Sequence, residues 1–216
     1  MSPIPLKPFY MIRHGQTQAN AARIMAGSTD SPLTEKGIEE AKQARIIIES
    51  LAIKPVAIFH SDLSRARDTA IIINEGLGVP MHEDPDLAEI HAGELEGVSY
   101  DECHELFNGW PTVKGGETPN EFFERVKRGK SRAIEQYREP VLIVCHGGVM
   151  RAFGALHNIE PPSAFKNAHP YQFIPNQQKM QFPWDVYDYS IDPETQKITR
   201  IKNEVYDSGS LLTMEP

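Results

Sequence analysis

Along the chain, short uninterrupted apolar runs alternate with longer stretches in which apolar residues recur at wider spacing. Phe9-Tyr10-Met11-Ile12, Val56-Ala57-Ile58-Phe59 and Val141-Leu142-Ile143-Val144-Cys145 are the apolar runs, and their length and lack of alternation predict buried strands. Thr34 is the expected N-cap of a helix carrying Ile38, Ala41, Ala44, Ile48 and Leu51 near helical spacing, to about residue 52. Ser64 to about Gly76 predicts a second helix, with Ala66, Ala70, Ile73 and Leu77 on one face. Further helices are predicted from about Asn120 to Tyr137 and from about Val149 to His157. Continuous apolar strands alternating with helices predict an α/β fold. Its expected form is a three-layer sandwich, a mostly parallel sheet with helices on both faces.

After about residue 158 the pattern changes. Pro161, Pro162, Pro170, Pro175 and Pro183 cluster with Phe165, Tyr171, Phe173, Phe182 and Trp184. Val186 to Ile191 and Lys197 to Ile201 predict a hairpin around Asp192-Pro193-Glu194-Thr195-Gln196. Three readings of His169 to Trp184 stay open: a lid, a contact between two copies in a homodimer, or an extra edge strand. With 216 residues the length fits one domain, residues 1–216, of which 158–216 is an atypical C-terminal extension.

Composition changes this picture little. The chain is 40% hydrophobic and 24% charged, with a formal net charge of -8, so a nucleic-acid-binding surface is not expected. Any affinity for an anion must come from charge concentrated at one place. Cys103 and Cys145 are far apart and lack metal-ligand spacing, which points to a reducing compartment. The N-terminal stretch through Pro8 has no apolar core of a signal peptide, and no apolar run is long enough to cross a bilayer. A cytoplasmic location without membrane association is the expectation.

Candidate chemistry lies at the strand ends. In open α/β sheets, ligands bind outside the carboxyl ends of the strands. The residues just past the three runs are Arg13-His14-Gly15, His60-Ser61-Asp62 with Arg65 close behind, and His146-Gly147-Gly148. One crevice rich in histidine and arginine should result. Neutral imidazole can attack phosphorus, and arginine's planar fork can hold phosphate oxygens as charge develops. Gly15, Gly147 and Gly148 are expected to let backbone N–H groups approach the same phosphate.

These residues also carry a resemblance. Phe9 to Thr17 with Asn20, Gly27 to Gly37, Ser61 to Ala70, Leu87-Ala88-Glu89 with Gly93 and Glu96-Gly97, and Val144 to Gly148 resemble, in order, the blocks of the histidine phosphatase superfamily. That superfamily also holds the cofactor-dependent phosphoglycerate mutases. The likeness covers about residues 8 to 157. It implies that His14 accepts the phosphoryl group and that Arg13, Arg65 and His146 bind its oxygens. Glu89 is implied as proton donor and then as base for water, and Gln16, Thr17, Asn20 and Gly147 as substrate-binding residues.

No cofactor and no metal are expected. A metallohydrolase needs a denser cluster of carboxylates and histidines, and His82, His91 and His104 match no standard ligand spacing. Between Val98 and Glu117 the acidic residues Asp101, Glu102, Glu105 and Glu117 outnumber the one basic residue, Lys114, and Tyr100, Phe107 and Trp110 join them. Such a rim suits a leaving group with apolar surface better than a second phosphate. The expected partner is therefore a small phosphorylated metabolite and the expected activity is metal-independent hydrolysis of a phosphate monoester. Mutase-type transfer and a non-catalytic phosphate-recognising domain are the alternatives.

Overall fold

The computed structural model describes residues 4–103, 109–159, 165–192, 194–204 and 206. Of the residues singled out above, His104, Glu105, Phe107, Pro161, Pro162 and Pro193 lie outside them. The predicted strands are β1 (Phe9–Arg13), β2 (Ile58–His60) and β4 (Leu142–Cys145), joined by a short β3 (Met81–Glu83). Among the described residues the α-helices are α1 (Gln18–Ala21), α2 (Glu35–Glu49), α3 (Ser64–Leu77), α4 (Pro119–Gln136) and α5 (Gly147–Ala155). The C-terminal part supplies β5 (Pro170–Pro175), β6 (Trp184–Ile191) and β7 (Ile198–Asn203).

Among the described residues one seven-stranded sheet results, in the order β3-β2-β4-β1-β5-β6-β7. The strands β3, β2, β4 and β1 run parallel, and β1, β5, β6 and β7 antiparallel. The predicted hairpin is β6–β7. The proline- and aromatic-rich segment gives β5, an interior strand between β1 and β6 rather than an edge strand. Its prolines stand at its two ends, Pro170 opposite Ile12 and Pro175 opposite Trp184, where the missing N–H groups disturb the ladder least.

Both faces of the sheet are covered, which explains why the parallel strands are apolar throughout. Tyr10, Ile12, Ile58, Leu142 and Val144 pack with Ala44, Ile47 and Ile48 of α2 and Ala66, Ala70 and Ile73 of α3. On the other face, Phe9, Met11, Phe59 and Ile143 pack with Phe122 and Val126 of α4 and Val149 and Phe153 of α5. Phe173 joins this second core, stacked on Phe9 with centroids 4.5 Å apart. The extension is thereby part of the same core.

Local sequence sets the helix ends. The Thr34 hydroxyl accepts the Gly37 N–H at 3.0 Å, capping α2. Thr118 and Glu121 form a capping box for α4, with Pro119 in the first turn. Helix α5 begins at Gly147, two residues before its predicted start, so His146 is its N-cap. Parallel pairing sets Arg13 beside Cys145, and the His14 N–H donates to the Cys145 carbonyl at 3.0 Å. The next residues on the two central strands, His14 and His146, therefore emerge side by side.

Candidate active site

His14 leaves β1 into a buried position, its ring centroid 5.1 Å from that of His146. Its Nδ1 lies 2.7 Å from the carbonyl oxygen of Gly15. A carbonyl only accepts, so Nδ1 carries the ring proton and Nε2 keeps its lone pair. Burial, followed by the charges of Arg13 and Arg65, holds the His14 pKa well below its ordinary value. The ring is thus neutral, with its lone pair on Nε2.

His146 is set the opposite way. Its Nδ1 accepts from Arg65 Nε at 3.2 Å, so the proton sits on Nε2. That atom is buried and without a partner among the described residues. Burial and then the Arg65 charge push its pKa down, so His146 offers a neutral N–H donor. Arg13 contributes a second such donor, its buried Nε, while its Nη1 donates to the Phe165 carbonyl at 2.8 Å. Buried unpartnered donors are costly, and a bound anion could satisfy both.

Arg65 is tied down on three sides. Beyond His146, its Nη1 donates to the Thr29 carbonyl at 2.9 Å and its Nη2 to the Gly27 carbonyl at 2.6 Å. The guanidinium fork has further donors to offer. Glu96 holds the 27–29 loop in place, accepting from the Ser28 N–H and hydroxyl, each at 2.8 Å, and from the Thr29 N–H at 3.1 Å. Gly27 has φ +55°, and a Cβ there would meet Glu96 Oε1 at 2.5 Å, so the turn requires glycine.

Glu89 reaches the same place from the loop after β3. Its Oε2 accepts from the Gly148 N–H at 2.9 Å and its Oε1 from the Ile90 N–H at 2.9 Å. The first of these bonds comes from the N-terminus of α5. The structure therefore brings together Arg13, His14, Arg65, Glu89, His146 and Gly147.

A family model described as the histidine phosphatase superfamily (branch 1) matches residues 9–173. The chain belongs to this superfamily. It is 36% identical over 157 residues to a metal-independent phosphoserine phosphatase of Arabidopsis thaliana, a match covering 66% of this chain and 65% of that protein. The match therefore spans slightly under two-thirds of that relative's length. A probable phosphoglycerate mutase of Salmonella choleraesuis is 37% identical over 150 residues, covering 64% of this chain and 68% of that one. Among solved structures, a mycobacterial glucosyl-3-phosphoglycerate phosphatase in complex with VO3 superposes with a TM-score of 0.70 at 25% identity, covering 83% of this chain and 97% of that one. The α-ribazole phosphatase of Shigella flexneri gives 0.66 at 27% identity, covering 79% and 92%.

Within this superfamily member, other residues expected at the site have structural partners. Thr17 caps α1 in a reciprocal box with Asn20. Asn20 also donates to the Tyr100 hydroxyl at 3.0 Å and accepts from Asn167 Nδ2 at 3.3 Å. Gln16 is bonded to the N-cap of α2, its Oε1 accepting from the Thr34 hydroxyl at 2.9 Å. The Gly15 N–H does not point to a phosphate: it donates to Thr69 Oγ1 at 3.0 Å. Glycine is needed at position 15 for close packing, since a Cβ would lie 2.3 Å from the Gly37 carbonyl oxygen. Trp110 of the rim packs on Phe122 and Phe123 of α4.

Two residues support the site without having been expected there. Asn167 donates to the His14 carbonyl at 2.9 Å. Arg125 donates to the carbonyls of Ala88, at 2.7 Å, and Glu89, at 2.8 Å, and pairs with Glu117, so it fixes the backbone that carries the Glu89 side chain. Among the described residues no three His, Cys, Asp or Glu side chains gather as metal ligands would, and no helix is long and apolar enough to cross a membrane.

Proposed function

We propose that this chain is a metal-independent phosphatase that hydrolyses a small-molecule phosphate monoester through a phosphohistidine on His14. The observation that carries the reading is the pair of opposed tautomers. His14 presents a lone pair on Nε2, its ring centroid is 5.1 Å from that of His146, and His146 Nε2 and Arg13 Nε are buried N–H donors without a partner among the described residues. These hydrogen bonds support His14 as nucleophile and His146 and Arg13 as phosphate donors.

In the first step His14 Nε2 attacks phosphorus, the N–P bond forms and the ester P–O bond breaks. Arg13, Arg65 and the His146 Nε2–H hold the phosphoryl oxygens and offset their charge in the transition state. Glu89, protonated, gives its proton to the departing oxygen, so an alcohol leaves. In the second step the Glu89 carboxylate takes a proton from water, whose oxygen attacks phosphorus and releases inorganic phosphate. His14 is returned neutral.

Hydrolysis is favoured over mutase-type transfer by the rim. Lys114 is paired with Glu94 at 2.6 Å and Arg125 with Glu117, so these cations already serve carboxylates of the chain. The relative named a probable phosphoglycerate mutase supports transfer as the second reading. A chromogenic aryl phosphate tests the proposal: turnover should be abolished by His14→Ala and unchanged by a chelator. Turnover that survives His14→Ala, or that needs a divalent metal, contradicts it.

A further inference from the structure

His14 presents Nε2 only because Nδ1 is held by the Gly15 carbonyl, and glycine is the residue least able to hold its own backbone still. What fixes Gly15 comes from outside. On one side of its Cα, the next peptide is held through the Gln16 N–H, which donates to Glu40 Oε2 at 2.8 Å. On the other side, the Gly15 N–H donates to Thr69 Oγ1 at 3.0 Å, and that hydroxyl donates to the Arg65 carbonyl at 2.7 Å. Thr69 is fully buried on α3, where a threonine back-bond to the preceding turn is common and by itself structural. Here the same oxygen also reaches the nucleophile's loop, and the carbonyl it bonds belongs to the arginine that touches His146.

We propose that Thr69 is a positioning residue: its hydroxyl locks the Gly15 peptide to the Arg65 turn, so that His14 Nε2 and the Arg65 guanidinium keep a fixed relation. This rests on His14 being the nucleophile, as proposed above. The Thr69 hydroxyl is already committed to the Gly15 N–H and the Arg65 carbonyl, so its role is positioning and not contact with substrate. Losing its hydroxyl should slow phosphoryl transfer to His14 while leaving the phosphate donors in place, which lowers the burst rate and kcat/KM together.

Thr69→Val keeps the branched shape and removes the hydroxyl, whereas Thr69→Ser keeps the hydroxyl. With an aryl phosphate in rapid-mix experiments, burst amplitude counts active sites and burst rate reports transfer per site, so partial misfolding lowers only the amplitude. The expected result for Thr69→Val is a burst rate lower by about 10- to 100-fold, the scale of a small misplacement of a reacting group. Thr69→Ser should recover most of the rate. A Thr69→Val rate within about twofold of wild type, or equal losses for Ser and Val, overturns the proposal. If Thr69→Val does not fold, Thr69→Ala is read by the same criteria. If that fails too, Thr69→Ser decides, because a slow burst from a folded Ser variant contradicts a role for the hydroxyl. His14→Ala is run alongside: a burst that persists there sinks the nucleophile assignment itself, a failure separate from that of Thr69.

Discussion

A methyl group on Gly148 would land 2.1 Å from Glu89 Oε1 and 3.0 Å from its carboxyl carbon. Gly148→Ala therefore has to drive the carboxylate away by about 1 Å, lengthening the bond from the Gly148 N–H to Oε2, now 2.9 Å. The obstructing atom is the end of a side chain, so the fold can yield. Alanine in place of glycine near the start of α5 also returns about 0.5–1 kcal/mol of helix stability. The melting temperature should accordingly change little. Activity should not be spared: a misplacement of about 1 Å costs on the order of 100-fold, or about 2.7 kcal/mol of activation free energy. The loss should depend on the leaving group, because a proton donor matters most when the departing oxygen is basic. On kcat/KM, which covers only the steps through alcohol release, an alkyl phosphate should show the full loss and a nitrophenyl phosphate far less. Equal losses on the two esters, or none on the alkyl ester, would refute Glu89 as the acid.

Two further perturbations follow from the electrostatics. After burial, the Arg13 charge is the largest influence holding the His14 pKa down. Arg13→Gln should raise that pKa, so the acid limb of the kcat/KM profile moves up in pH as the rate falls by about 10- to 1000-fold. A limb that stays put or moves down speaks against the assignment. Lys130 is fully buried, its Nζ 3.2 Å from the centroid of the Phe153 ring and 3.3 Å from Met11 Sδ, and burial pushes its pKa well down. Because the folded state disfavours the charged form, stability falls as pH drops below the unfolded value of about 10.4. Lys130→Met should stabilise at pH 7 by about 1–3 kcal/mol and flatten that slope in urea titrations. A destabilised variant would mean that the amine has a use in the core.

Much of the architecture was legible because the central strands are covered on both faces, and such burial leaves continuous apolar runs in the sequence. Their ends gave the arginines and histidines of the site, and the helices α2 and α3 followed from spacing and a threonine cap. The start of α5 was not legible, since Gly147-Gly148 has poor helix propensity and forms the first turn only where it faces Glu89. Nor was β5: prolines bound it, and its residues alternate between an aromatic core and a polar network of Tyr10, Gln172 and Tyr189. Arg125 and Asn167 left no local signal of a role at the site, and Thr69 lay inside the Ser61 to Ala70 block with nothing to mark its hydroxyl. Each acts by bonding backbone far away in sequence, a relation that only the packed sheet creates.

The central claim is a covalent bond between His14 and phosphorus. Rapid quenching of the protein with a radiolabelled phosphate ester, followed by peptide mapping, tests it most directly. The account predicts phosphate that survives alkali, is lost in acid and maps to the peptide containing His14, and that is absent from His14→Ala. Steady turnover with no trapped phosphoprotein under any quench, or label on a residue other than His14, would contradict it.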